Sequence, residues 1–177
     1  MKKKALVLHC WYGAPKDNWY PWLKTELEKK GYQVEVPELP TMKADLPDME
    51  LQLKTIEGLV NDDTIVIGHS LGAVLALRLA EIRKYKRMIL VSGWDFDDLT
   101  SEHQKFWKNK MDHQKIKENV KDIIVVTSDN DLYFSPFQVE EMSKRLDAKL
   151  ISVKGAGHFT TDKFGIDKLP EVLEFFD

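Results

Sequence analysis

The sequence predicts an α/β fold of three layers, in which a mostly parallel sheet of about six strands lies between helices. Short runs of apolar, β-branched residues alternate with longer amphipathic segments along the 177 residues. Several runs, such as 65–67 and 123–126, are apolar at consecutive positions, which is typical of strands buried on both faces. Parallel strands joined by crossover helices produce this pattern. The length predicts a single domain over residues 1–177.

The individual elements follow from these patterns in chain order. The predicted strands are residues 4–9, 32–36, 64–67, 87–91, 122–127 and 149–153. The predicted helices are residues 19–30, 46–60, 71–83, 135–146 and 166–176. Asn18 is a candidate cap for the first helix, and Gly31 ends it because glycine readily takes left-handed backbone angles. Ligands of such sheets bind beyond the carboxyl ends of the strands, so the residues after each strand are the functional candidates.

Residues 94–120 interrupt the alternation between the fourth and fifth strands. The segment is longer than a simple crossover helix and contains five large apolar side chains, namely Trp94, Phe96, Phe106, Trp107 and Met111. It fits a small helical cap or excursion that overhangs the site, and it fits equally well an ordinary crossover with a long loop. The sequence leaves both interpretations open.

Composition and charge exclude several classes of function. A formal net charge of −3 provides no large basic field, so no nucleic-acid partner is expected. No apolar run reaches the length that spans a bilayer, so no membrane partner is expected. A single cysteine, Cys10, excludes an intrachain disulfide and suits a reducing compartment, and we expect a cytoplasmic protein. Glycine motifs for nucleotides and metal-ligand spacings are absent, so no cofactor and no metal are expected.

Residues 68–72 read Gly-His-Ser-Leu-Gly and stand between a predicted strand and an Ala/Leu-rich predicted helix. This G-x-S-x-G turn is the nucleophile elbow of α/β-hydrolases, in which a strained serine projects its hydroxyl from a tight strand-to-helix reversal. Ser70 is therefore the candidate nucleophile. The amide of Leu71 lies at the start of the helix, where it can stabilise negative charge on a substrate oxygen.

A serine hydroxyl needs a base, and in this fold an acid and then a histidine follow the serine along the chain. Among five histidines, His158 follows the last strand in a glycine-rich loop and is the candidate base. The acid should follow the fifth strand, where Asp129 and Asp131 both occur. Asp131 fits the usual position better, and Asp129 is the alternative.

The second oxyanion donor should come from the loop after the first strand. Many proteins of this fold have glycine after the histidine of that loop, whereas this chain has Cys10 after His9. The amide of Trp11 is the candidate donor, and that of Tyr12 is second. Cys10 is interpreted as a small buried side chain, because Ser70 is the better-placed nucleophile. The aromatic residues that follow strands are candidates for an apolar substrate pocket: Trp11, Tyr12, Trp94, Tyr133 and Phe159.

The chain resembles a known family in six stretches of its sequence: 18–23, 68–72, 90–94, 112–116, 128–131 and 157–159. In these stretches it is similar to the retinoblastoma-binding protein 9 family of small serine hydrolases, especially its bacterial members. The resemblance implies a compact hydrolase core without the early antiparallel strands of larger relatives, and it supports Ser70, Asp131 and His158 as a triad. The chain departs from the family at Cys10 and at residues 132–135, where proline and valine are common.

The function expected from these features is hydrolysis of small esters through an acyl-enzyme, with amides as a further substrate class. The expected partner is a small-molecule acyl substrate, and no feature of the sequence indicates a protein partner. The alternative is a non-catalytic protein-binding module on a hydrolase scaffold, since a fold alone does not decide function. An intact serine, acid and histidine in the expected order favours the enzyme.

Overall fold

Six strands form one parallel sheet in the computed structural model of the protein, which describes residues 3–177. In chain order they are β1 (Lys4–Leu8), β2 (Gln33–Glu35), β3 (Thr64–His69), β4 (Arg87–Val91), β5 (Asp122–Ser128) and β6 (Lys149–Val153). Their order across the sheet is β2-β1-β3-β4-β5-β6, and each neighbouring pair of these strands is parallel. The predicted α/β fold with about six strands is confirmed.

Helices cover both faces of the sheet. They are α1 (Tyr20–Lys29), α2 (Met49–Ile56), α3 (Leu71–Ile82), α4 (His113–Asn119), α5 (Pro136–Arg145) and α6 (Thr161–Phe164), and two 3-10 helices cover Gln104–Phe106 and Pro170–Phe175. Along β1, Leu6 and Leu8 pack with the layer that contains α2 to α5. Ala5 and Val7, which alternate with these leucines and face the other side of the sheet, pack with α1 and the last 3-10 helix. The consecutive apolar positions of the strands are explained by these two cores.

Two sequence predictions about helices are wrong, one about the last helix and one about the cap of the first. The predicted helix 166–176 is absent: the short helix α6 ends before it at Gly165, whose φ is 68°, residues 166–169 are irregular, and Pro170 begins the 3-10 helix Pro170–Phe175. Asn18 does not cap α1, which begins after Trp19 without a side-chain cap. The Asn18 side chain instead accepts a hydrogen bond from the Thr161 amide at 2.9 Å.

Residues 94–120 run irregularly after β4, form the 3-10 helix Gln104–Phe106, and end in α4. Phe106, Met111 and Ile116 are buried in the core against α3. Arg78 of α3 reaches across to this segment and donates hydrogen bonds to the carbonyl oxygens of Phe106 and Asn109. Among residues 3–177, no helix combines the length and the hydropathy that crossing a membrane would require.

Candidate active site

Ser70 occupies a strained turn between β3 and α3. Its backbone angles are φ 55° and ψ −121°, a region that residues other than glycine rarely adopt. The flanking glycines allow the turn, because a Cβ on Gly68 would lie 2.4 Å from the carbonyl oxygen of Gly72. A Cβ on Gly72 would lie 2.3 Å from the carbonyl oxygen of Leu8. These close approaches explain why the sequence needs glycine on both sides of the serine.

The structure brings the three predicted side chains together. His158 Nε2 lies 2.8 Å from Ser70 Oγ, and His158 Nδ1 lies 3.0 Å from Asp131 Oδ2. A carboxylate can only accept, so Nδ1 carries the hydrogen and Nε2 accepts the hydrogen bond of the serine hydroxyl. In this geometry the imidazole can accept the serine proton while the carboxylate orients the ring.

The loop after β5 separates the two candidate acids. Asp129 makes no hydrogen bond with His158, and its Oδ1 accepts one from the Gly155 amide at 2.7 Å. Asn130 accepts another from the Gly157 amide at 2.7 Å. Both side chains therefore hold the glycine-rich loop that carries His158, and only Asp131 reaches the imidazole.

Ser92 belongs to the site, although its sequence position did not identify it as a site residue. It follows β4, has a φ of 46°, and donates a hydrogen bond from Oγ to Asp131 Oδ2 at 2.7 Å. Burial opposes ionisation of Asp131, but hydrogen bonds from His158, the Tyr133 amide and Ser92 lower the pKa of the carboxyl below its ordinary value. The acid therefore stays ionised beside His158. A polar residue directly after a strand was the available signal.

A buried hydrogen-bond chain connects the loops on either side of Ser70. The Cys10 amide donates to Tyr20 Oη at 3.1 Å, and Tyr20 Oη lies 2.6 Å from His69 Nδ1. His69 Nε2 lies 2.8 Å from the carbonyl oxygen of His158, so it carries the hydrogen and Nδ1 accepts from Tyr20. Burial, with repulsion from His158, lowers the pKa of His69 to about 3. The neutral ring therefore links the first-strand loop to the loop of the base.

The two predicted oxyanion donors are available. Among the residues that the structure describes, neither the Leu71 amide nor the Trp11 amide has a hydrogen-bond acceptor. The amide of Tyr12, the second choice in the first-strand loop, is engaged with the carbonyl oxygen of Met42 at 2.9 Å. Trp11 is anchored by its indole, which donates to the Ala44 carbonyl at 2.9 Å. The geometry thus favours Trp11 over Tyr12 as the donor.

Cys10 is buried beside this loop, with 8% of its surface exposed. Burial raises the pKa of its thiol, which disfavours the reactive thiolate. Its Sγ accepts a weak hydrogen bond from Asn18 at 3.7 Å and packs against Gly13, where a Cβ would lie 2.8 Å away. Cys10 therefore occupies the loop as a small packing residue.

A cavity of about 600 Å³ opens over Ser70 and His158. Four of the predicted pocket residues line it, namely Trp11, Tyr12, Trp94 and Tyr133, and the Tyr133 ring lies 4.6 Å from that of His158. The prediction for Phe159 is wrong, because this residue is fully buried. Its φ of 56° turns the side chain away from the cavity and into the core on the α1 face. The wall also contains polar residues that the sequence did not single out: Asp98, Thr100, His103, Thr160, Asp162 and Lys163.

Two further histidines of the 94–120 segment are held by aspartates. His103 Nδ1 lies 2.6 Å from Asp98 Oδ2, and His113 Nε2 lies 2.7 Å from Asp95 Oδ2. Arg145 of α5 also donates two hydrogen bonds to Asp95, which fixes this buried carboxylate. Within residues 3–177, no group of three or more His, Cys, Asp or Glu side chains is placed to hold a metal ion.

Known proteins resemble this chain over nearly its whole length. The sequence model of the serine hydrolase family matches residues 5–177. YdeN of Bacillus subtilis (strain 168) is 30% identical over 181 residues, which cover 98% of this chain and 94% of YdeN. The crystal structure of the ydeN gene product from B. subtilis matches with a TM-score of 0.86 and 28% identity, covering 98% of this chain and 96% of that one.

The serine hydrolase RBBP9 of Rattus norvegicus is 34% identical over 155 residues, which cover 82% of this chain and 80% of that protein. The resemblance stated from the sequence is therefore confirmed. Together with the family match and the fold, these similarities show that the chain is a hydrolase and belongs to the serine hydrolase family.

Proposed function

We propose that the protein hydrolyses small carboxylic esters through a covalent acyl-enzyme on Ser70. The contact of 2.8 Å between His158 Nε2 and Ser70 Oγ carries this proposal. A serine hydroxyl is a weak nucleophile until a base accepts its proton, and this contact places the Nε2 atom of the His158 imidazole where it can do so. The Asp131 carboxylate at Nδ1 fixes the tautomer that leaves Nε2 free to accept.

Acylation begins as Ser70 Oγ bonds to the ester carbonyl carbon while its proton passes to His158 Nε2. The carbonyl π electrons move to oxygen and give a tetrahedral oxyanion. When this intermediate collapses, the bond to the alcohol oxygen breaks and His158 donates its proton to the leaving alcohol. Water then repeats the sequence on the acyl-enzyme, releasing a carboxylic acid and free Ser70. Asp131 remains ionised throughout and stabilises the imidazolium.

The oxyanion is stabilised by the amides of Leu71 and Trp11. The support is that both N–H groups lie next to Ser70 or the cavity and have no other acceptor in the described chain. The Leu71 amide opens α3, so the helix dipole adds to its effect. Each such donor contributes on the order of 10²–10³ in rate.

The cavity supports a small acyl substrate with apolar parts. Its volume of about 600 Å³ is in the range of small-molecule sites, and the aromatic rings of Tyr12, Trp94 and Tyr133 contribute to its wall. Esters are the first class proposed because an alkoxide leaves more readily than an amide nitrogen. Amides are the second class, tested with the same panel.

Covalent labelling tests the proposal. Folded wild-type protein should react with one equivalent of a fluorophosphonate probe, as read by intact mass, and should hydrolyse 4-nitrophenyl esters. Ser70→Ala should lose both signals, whereas Ser101→Ala, a change of an exposed serine in the 94–120 segment, should keep both. Absence of labelling and turnover in folded wild type would contradict the proposal and favour a non-catalytic binding role.

A further inference from the structure

Two ring nitrogens in the cavity wall have no hydrogen-bond partner among the described residues. They are Trp94 Nε1 and His103 Nε2, and both atoms are shielded from solvent. Trp94 is 4% exposed and His103 8% exposed, yet both residues line the cavity that contains Ser70. Their ring centroids are 5.5 Å apart. A buried polar atom without a partner costs about 1–3 kcal/mol, so the presence of two on neighbouring rings needs an explanation.

Asp98 determines which ring nitrogen of His103 is a hydrogen-bond donor and which is an acceptor. Its carboxylate lies 2.6 Å from His103 Nδ1 and can only accept, so Nδ1 carries the hydrogen. In the neutral ring Nε2 is then an acceptor, as it is in His158. Trp94 Nε1 is a donor under all conditions. These two rings therefore combine one unused donor with one unused acceptor.

We infer that Trp94 and His103 form a polar subsite that binds a neutral hydroxyl or carboxamide group of the substrate. Such a group accepts from Trp94 Nε1–H and donates to His103 Nε2, which satisfies both nitrogens at once. A carboxylate fits poorly because the Asp98 carboxylate, bound to the other ring nitrogen of His103, repels it. An ammonium group fits poorly because it has no lone pair to accept the hydrogen bond of the indole N–H. This inference rests on the proposed ester hydrolysis at Ser70 and specifies its substrate class further.

The surroundings of the subsite are apolar and aromatic. The Trp11 ring lies 4.8 Å from that of His103, and the Phe134 ring is stacked on Trp94 at 5.0 Å. A hydrogen bond is worth more in such surroundings than in water. Because both nitrogens are shielded from solvent, both rings must turn toward the cavity before one substrate group can contact them.

Paired substrates test the subsite. We would measure kcat/KM for 4-nitrophenyl butyrate and for its analogues with a hydroxyl at C2, C3 or C4 of the acyl chain. One hydroxylated ester should exceed the plain ester by about 5-fold or more, the worth of one hydrogen bond. Trp94→Phe and His103→Phe should bring this ratio to about 1, because each keeps a ring but removes one partner.

Trp107→Phe is the matched control. Trp107 also has a buried indole N–H without a partner, but it packs against Arg78, at 5.4 Å from its ring, and does not line the cavity. This variant should keep the wild-type ratio. If no hydroxyl position is favoured in wild type, or if Trp107→Phe abolishes the ratio as well, the inference is wrong.

A binding readout separates this inference from the proposed function. In Ser70→Ala protein with 15N-labelled tryptophan, at least one hydroxy ester of the series should shift the Trp94 indole N–H resonance, assigned by its loss in a Trp94→Phe background. The plain ester should shift it less. A selective shift in a protein whose wild type hydrolyses no ester would support the subsite and contradict the proposed ester hydrolysis. Ester turnover without a selective shift would contradict the subsite alone.

Discussion

His69, the residue before the nucleophile, should make the folded protein sensitive to acid. Burial lowers the pKa of its ring from 6.5 to about 3. In the unfolded chain the ring returns to its ordinary pKa of about 6.5, so below that pH the unfolded state binds a proton that the folded state does not. The free energy of unfolding therefore falls as the pH drops from 6.5 towards 3. The slope is about 1.4 kcal/mol per pH unit, or about 5 kcal/mol over the whole interval.

Urea unfolding between pH 7 and pH 4 measures this effect. Wild type should lose stability more steeply with falling pH than His69→Gln, by about 1.4 kcal/mol per pH unit. Glutamine keeps a donor for the His158 carbonyl but does not titrate, so the variant should be less stable at pH 7 and less dependent on pH. Asp131, whose pKa is lowered, contributes only at the acid end of this range. Equal slopes in the two proteins would refute the assignment of His69 as a buried neutral ring.

Three further predictions concern the loops around the nucleophile. Tyr20→Phe removes the hydroxyl between two buried partners and should lower the free energy of unfolding by about 2–4 kcal/mol in urea unfolding, with an unchanged value contradicting the hydrogen-bond chain. Ser92→Ala removes one hydrogen bond to the buried carboxylate of Asp131 and should lower kcat about 10-fold with little change in KM, whereas a change confined to KM would place Ser92 at the substrate instead. Gly72→Ala should destabilise by about 3 kcal/mol, because its Cβ would collide with a backbone carbonyl, while Gly58→Ala, with open space around it, should be nearly neutral in the same thermal or urea assay.

The elements that the sequence predicted well are those with strong local patterns. The sheet follows from consecutive apolar runs, and the elbow follows from two glycines around Ser70, since only glycine fits the close approaches at 68 and 72. The end of the chain was predicted less well. Despite a helical spacing of apolar residues, 166–169 are irregular after the turn at Gly165, and Pro170 begins a 3-10 helix rather than an α-helix.

The site was predictable in outline and not in detail. The positions of Ser70 and His158 follow from chain order and flanking glycines, although the two are 88 residues apart. The choice between Asp129 and Asp131 depends on where a short turn points each carboxylate, and the turn binds Asp129 to the Gly155 amide. Phe159 illustrates the same limit, because its backbone φ of 56° sends the ring into the core rather than the cavity.

The sequence by itself determined the fold class, the succession of strands along the chain and the position of the turn that carries Ser70, because hydrophobic periodicity and a glycine-bounded turn are local properties. Only the tertiary structure decided which polar groups meet. Ser92 reaches Asp131, and Tyr20 joins Cys10 to His69, through contacts between elements that are distant in the chain. Hydrogen bonds depend on distances of tenths of an ångström and on direction, and these are set by how the sheet and its loops pack together.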